Sequence, residues 1–183
     1  MTTTYAALLR GINVSGHRKV PMAELRSLLE ELGHRNVRTY LQSGNAVFTT
    51  DDDSGDDVLA AAIEAAIGKR LGFRVDTLVR GAAYLAAVAD ACPFPAGELE
   101  GRQLHVTYYS EPVGPERFAA IDEAAFRPEE FRLGDRALYL YAPDGLGRSK
   151  LAEAVSRPSL LKGVVATSRN WNTVLKLVEM THD

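Results

Sequence analysis

The chain has 183 residues, 46% of them hydrophobic and 25% charged, with a formal net charge of −3. These values describe an ordinary globular protein able to bury a core of its own, and they exclude a disordered or collagenous chain. The small negative charge also excludes bulk attraction to nucleic acid or to an anionic membrane, so any such binding has to come from a local patch.

Thr4–Ile12 is rich in apolar residues and predicts a first strand. Pro21 opens an amphipathic helix to Gly33, with Met22, Leu25, Leu28, Leu29 and Leu32 at helical spacing. Proline in the first turn and glycine past the last are the expected punctuation. Asn36–Gln42 alternates as a strand, Ser43-Gly44-Asn45 turns, and Ala46–Thr50 returns as the hairpin partner. Asp56–Leu71 predicts a helix with Leu59, Ile63, Ala66 and Ile67 on one face, and Phe73–Arg80 predicts a strand. The order βαββαβ is that of a split βαβ, ferredoxin-like unit over residues 1–80.

A helix over Ala82–Ala91 begins the second half, and after it comes a Pro-, Gly- and Glu-rich loop from Cys92 to Arg102. Gln103–Ser110 predicts a strand and Pro115–Ala125 a helix. Glu130–Leu133 and Ala137–Ala142 form a hairpin across Gly134-Asp135. A Gly-rich loop leads into a helix at Ser149–Ser156, and a last helix covers Asn170–Met180, where Trp171, Val174, Leu175 and Val178 share a face. Without that last helix the order is again β-α-β-β-α, although no residue-level repeat accompanies it. The expected fold class is α+β. Two ferredoxin-like units, 1–80 and 81–183, would pack as one globular body of mostly antiparallel sheets with helices on one face.

Motifs of familiar chemistry are missing. H-E-x-x-H, C-x-x-C and G-x-S-x-G do not occur, and His17, His34, His105 and His182 show no ligand spacing. Asp51-Asp52-Asp53-Ser54-Gly55 lacks the glycine and the glutamate of a calcium loop, where Asp56 and Ala62 stand instead. These aspartates solvate a turn and favour the helix N-terminus beyond it. Ser159-Leu160-Leu161-Lys162 matches S-x-x-K without its companion motifs. The one cysteine, Cys92, lies in an apolar neighbourhood and rules out an internal disulfide. No signal-peptide pattern opens the sequence, and no stretch approaches the ~18 apolar residues of a membrane span. A reducing, cytoplasmic setting with no membrane partner is expected.

Charge is segregated along the chain. Of five lysines, four lie in segments otherwise poor in acids. Arg10–Pro21 holds Arg10, Asn13, Arg18 and Lys19, and His34–Thr50 holds Arg38, Tyr40, Gln42, Ser43 and Asn45. Gly145–Leu151 holds Arg148, Ser149 and Lys150, and Arg157–Val178 holds Lys162, Arg169, Asn170, Asn172 and Lys176. Either the four segments form one positive surface or they are scattered solvated faces. The stretch Gly11–Lys19 stands between a strand and a helix, the setting of a phosphate loop, but lacks the Gly-Lys-Ser/Thr ending. Gly145–Lys150 reads equally as an anion cradle and as a turn with a serine cap. Arg38, Tyr40 and Gln42 share one strand face. The element order is also that of an RNA-recognition motif, whose stacking aromatics the corresponding strands lack. Trp171 either anchors the last helix to the core or offers an aromatic platform between two amides.

Leu8-Leu9-Arg10-Gly11-Ile12-Asn13-Val14, Val37–Asn45 with Phe48, Gly147–Leu151 and Thr167–Val174 together resemble the bacterial family named domain of unknown function 1697 (DUF1697). The resemblance spans nearly the whole chain. It implies duplicated ferredoxin-like α+β units and brings no established activity. Its hallmark polar residues fall on Arg10, Asn13, Lys19, Tyr40, Gln42, Ser43, Asn45, Ser149, Lys150, Arg169, Asn170 and Asn172. Family members often carry Gly-Gly and then lysine after Asn-Val, where this chain has Ser15-Gly16-His17.

Three readings fit these residues. The first is a binder of a phosphate-bearing small molecule or nucleic acid, in a cleft between the two halves, with Arg38 and Arg148 added to the hallmark set. The second is an enzyme using Tyr40, Ser149 and Lys150. In the third, the polar residues are structural, fixing turns, caps or a dimer interface. No cofactor or metal is indicated.

Overall fold

Residues Thr3–Leu9 form a first strand, β1, that is apolar on both faces, and Ala6, Ala7, Leu8 and Leu9 are fully buried. Such a strand needs a neighbour on each edge and cover on each side. The computed structural model describes residues 1–183 except Val14, Ser15, His17 and Ser43. In it β1 pairs antiparallel with β3 (Asn45–Thr50) on one edge and with β4 (Thr77–Gly81) on the other. β2 (Arg35–Tyr40) pairs with the outer edge of β3, which gives the sheet order β2-β3-β1-β4.

One face of this sheet is covered by α1 (Met22–Glu31) and α2 (Asp56–Leu71). Leu25, Leu28 and Leu29 of α1 and Leu59, Ile63 and Ile67 of α2 pack with Ala7, Leu9, Ala46, Phe48 and Val79 of the sheet. α2 has Asp56 and Asp57 in its first turn and Lys69 and Arg70 in its last, which suits the helix dipole, and Gly72 in the left-handed region ends it. On the opposite face Arg38 donates to Met180 O at 2.6 Å and pairs with Asp183 at 3.2 Å. The last turn of α5 (Trp171–His182) is thereby tied to β2.

The chain forms two compact units, Met1–Leu85 with Leu177–Asp183, and Ala86–Lys176, with boundaries inside α3 (Ala82–Asp90) and α5. The second unit is built on β5 (Leu104–Tyr109), paired antiparallel with β7 (Ala137–Tyr141) and with β8 (Ala166–Asn170). With β6 (Glu130–Gly134) at the edge the order is β6-β7-β5-β8. Its core joins Tyr109, Phe118, Leu138 and Leu140 to Leu151 and Val155 of α4 (Lys150–Val155). The protein is therefore α+β, with two four-stranded antiparallel sheets and five α-helices among the described residues.

Two expected elements differ. Ala166–Asn170 is a strand where the sequence suggests none, because its buried face carries Thr167 and Arg169 rather than hydrophobic residues. Pro115–Ala125 is no α-helix. It forms two 3-10 turns, Pro115–Phe118 and Glu123–Phe126, separated by Asp122 in an extended conformation. Shorter adjustments fall at strand ends: β1 stops at Leu9 and β4 starts at Thr77.

The two sheets share a register. Ala6 on β1 stands opposite Val47 and Arg80, and Val106 on β5 stands opposite Tyr139 and Arg169. Arg80 and Arg169 thus occupy corresponding places on the last strand, each one residue from its end and just before a helix. Arg38 opposite Val47 and Arg132 opposite Tyr139 correspond in the same way on the edge strands. Among the described residues no helix is long and apolar enough to cross a membrane, and no group of three or more His, Cys, Asp or Glu is placed to hold a metal.

Among the described residues each unit buries one histidine. His34 stacks on Phe48 with ring centroids 4.4 Å apart, and neither His34 Nδ1 nor His105 Nδ1 has a hydrogen-bond partner. Burial pushes both imidazoles below their ordinary value of 6.5, with Asp52 partly offsetting this at His34. The unfolded chain takes up protons near 6.5 that the folded one refuses, so the folded state loses stability as pH falls below that value, until it protonates as well. The urea midpoint should therefore decline between about pH 7.5 and 5.5. His34→Phe together with His105→Leu should flatten that decline, and an unaltered slope in the double variant would show that these imidazoles do not carry it.

Candidate functional site

The segment after β1 and the turn between β2 and β3 are fastened to each other by one side chain. Asn13 accepts a hydrogen bond from Val20 N at 2.9 Å and donates to Val20 O at 3.1 Å and to Gln42 O at 2.6 Å. Its own backbone N–H donates to Arg18 O at 3.2 Å. The amide thus closes the loop on itself and ties it to the neighbouring turn. That turn is anchored in addition by Leu9 N donating to Gly44 O at 2.9 Å. Gly44 has φ 100°, and a Cβ there would lie 2.8 Å from Leu9 Cβ, so the close approach requires glycine. Asn45, fully buried, donates to Tyr40 O at 2.8 Å across the end of the hairpin.

Left-handed backbone is concentrated here. Gly11, Asn13, Gly16, Arg18, Leu41 and Gly44 all have positive φ, between 48° and 100°. For a bulky residue such as Leu41, at φ 60° and 53% exposed, the conformation is strained, and strain of this kind collects at functional sites. Beside these segments lies a depression of about 290 Å³ lined by Asn13, Gly16, Lys19, Val20, Pro21 and Gln42. Lys19 and Gln42 are exposed, and neither contributing segment contains an aspartate or glutamate.

The other residues singled out in this unit are less available. Arg10 stands 3.7 Å from Asp76, and Arg38 is engaged with α5 as described. Tyr40 is half-buried opposite Asn45 on the ladder. Ser43 lies outside the described residues.

In the second unit Ser149 is an N-cap. Its Oγ accepts from Ala152 N at 2.9 Å and donates to the Glu129 carboxylate, which also accepts from Leu151 N at 3.3 Å. A carboxylate of the chain itself therefore occupies the start of α4. Arg148 and Lys150 flank it, exposed. Arg169 is buried and donates to Thr167 Oγ1 at 2.6 Å and to Ser168 O at 2.9 Å. Burial pushes its pKa down to about 10, partly offset by Tyr108, so it stays cationic at neutral pH. Asn170 caps α5, accepting from Thr173 N at 3.0 Å, and Trp171 is buried behind it. Asn172 is exposed, with its amide packed over Gly101, where a Cβ would lie 2.4 Å from it and push it aside.

Arg80 carries no sequence signal of a site, yet it is the larger surprise. It is 1% exposed, donates to Val79 O at 2.8 Å and to Asp56 at 3.4 Å, and lies 5.5 Å from the Tyr84 ring centroid. Aligning the two strand-to-helix junctions, Val79-Arg80-Gly81 and Ser168-Arg169-Asn170, would have paired it with Arg169.

Residues 1–139 match the family model described as protein of unknown function (DUF1697). The chain belongs to this family. A solved structure, that of the conserved bacterial protein SP0830 from Streptococcus pneumoniae, is similar, with 23% sequence identity, a TM-score of 0.78 and 99% of each chain covered. At that identity the likeness shows the fold alone. No curated protein matches the chain. The DUF1697 match takes in the loop and turn around Asn13 and Asn45 and stops before Arg148–Asn172, whereas the fold likeness runs through both.

Asn45→Ala should lower unfolding stability by about 1–3 kcal/mol, because Tyr40 O loses its buried donor. Ser149→Ala should cost about 1 kcal/mol through the lost cap. Urea titration of each variant measures this, and unchanged midpoints would show that these polar groups do not hold the fold.

Proposed function

We propose that this protein binds a phosphate-bearing ligand at the depression between the loop after β1 and the β2–β3 turn. The observation that carries the reading is the presence of exposed Lys19 and Gln42 on segments that Asn13 fastens together, with no acid in either segment. Lysine supplies a point charge and glutamine an amide donor, the pairing an anionic oxygen accepts. Asn13 already holds the backbone of Val20 and of Gln42, so those groups have little ordering left to lose on binding. The ligand class is a nucleotide-like small molecule or a nucleic-acid strand. The scaffold beneath the site reads as a ferredoxin-like unit over residues 1–80.

One set of observations favours the structural reading for part of the hallmark residues. Asn13, Asn45, Ser149, Arg169 and Asn170 all spend polar atoms on the fold itself. In this division the amides, the serine and the buried arginine hold the backbone, and recognition rests with Lys19 and Gln42.

A thermal-shift screen over inorganic phosphate, nucleotides, sugar phosphates and short RNA and DNA tests the proposal. A ligand at about a hundredfold over its Kd stabilises the fold by about 2.7 kcal/mol, a rise of roughly 5–10 °C in Tm for a chain of this size. The shift should shrink with added salt, disappear in Lys19→Ala and fall in Gln42→Ala. Silence across the panel, or an equal shift in Lys19→Ala, would overturn the assignment.

A further inference from the structure

The second unit carries a small pocket of opposite chemistry. Glu130 on β6 and Tyr141 on β7 stand directly opposite each other in the antiparallel ladder. Directly opposed residues leave the sheet on the same face, so the carboxylate and the phenol ring are neighbours by construction. The segment after α3 brings a second ring. Phe94 lies with its centroid 6.2 Å from that of Tyr141 and its plane tilted by 36°. With Pro95 and Leu99 these residues line a pocket of about 260 Å³.

The lining is two aromatic rings, two apolar side chains and one carboxylate. Glu130 Oε1 accepts from Arg132 at 3.2 Å, and Arg132 also donates to Glu123 at 2.9 Å. Arg132 thus divides its charge between two acids, and Glu130 Oε2 makes no hydrogen bond among the described residues. An anion would meet the carboxylate at this pocket. A neutral apolar molecule would satisfy the rings and ignore the charge. A cation clothed in methyl groups uses both, because ring faces attract positive charge through their quadrupole and the methyls pack on apolar carbon. The volume lies just under the range of drug-sized pockets, which suits a headgroup with a short chain.

We infer that the second unit binds a small soluble alkylammonium compound in the pocket of Phe94, Pro95, Leu99, Glu130 and Tyr141. The test uses the full chain, with choline as probe and 3,3-dimethylbutan-1-ol as its uncharged isostere, titrated by NMR. Choline should saturate and shift the aromatic signals of Phe94 and Tyr141. The isostere should bind about twofold to thirtyfold more weakly, the span of cation–π energies converted to affinity. Glu130→Gln should narrow that preference, and Phe94→Leu, which keeps apolar bulk, should remove the ring contribution without unfolding the unit, as far-UV circular dichroism checks. Lys19→Ala should leave choline binding unchanged, which separates this site from phosphate binding. Absence of saturation, equal affinity for the isostere, or an unaltered preference in Glu130→Gln would overturn the inference.

Discussion

A strand paired on both edges and packed on both faces has no room for solvated side chains, and β1 and β5 live under that constraint. β1 meets it with Ala6, Ala7, Leu8 and Leu9, all fully buried. The chain becomes polar at Arg10, where β1 has ended and the backbone turns into left-handed conformations. The loop beyond is shaped by the end of β1 meeting the end of a hairpin: Leu9 N reaches Gly44 O, and Asn13 reaches Gln42 O. The candidate phosphate site is thus a by-product of where a buried strand is forced to stop. β5 meets the same demand less cheaply, since it buries His105, and the loss of imidazole basicity records the desolvation involved.

Polar side chains in this molecule divide into two populations with different physics. Asn13, Asn45, Ser149 and Asn170 place amide or hydroxyl groups against backbone atoms that would otherwise lack partners, and a buried donor or acceptor left unmatched is costly. Arg169 takes this furthest, holding a full charge inside the second unit among hydroxyl and carbonyl oxygens. Lys19, Arg148 and Lys150 have no such employment, and their side chains stand in water. A polar residue that the fold does not need is a better recognition candidate than one it cannot do without.

Much of the architecture was legible in the sequence. The leucine spacing of α1, the sixteen-residue span of α2 and the β2–β3 hairpin come from periodicity and punctuation. β8 was not legible, because Ala-Thr-Ser-Arg-Asn has no apolar alternation and its inward face is Thr167 and Arg169. The apolar spacing around Phe118 and Ile121 imitated a helix, while Asp122 in an extended conformation divides the segment into two short turns. For the site, the acid-free segments were visible, but the duty of Asn13 was not. It depends on a contact with Gln42, 29 residues away, that only the folded chain creates. Arg80 stayed hidden because a single cation in an apolar run offers no hint of its Tyr84 and Asp56 neighbours.

The matching registers of the two sheets carry a consequence for how such a chain can change. Both frames place arginines at the same two ladder positions, but the connections that leave their central strands are unlike. After β1 comes the left-handed loop, whereas residues 110–129 after β5 include no positive φ among the described residues. A frame present in two copies frees each from having to do everything. Its ladders can serve assembly while insertions, losses and new side chains accumulate in the connections, so the two units can acquire different surface chemistry without disturbing how their strands pair.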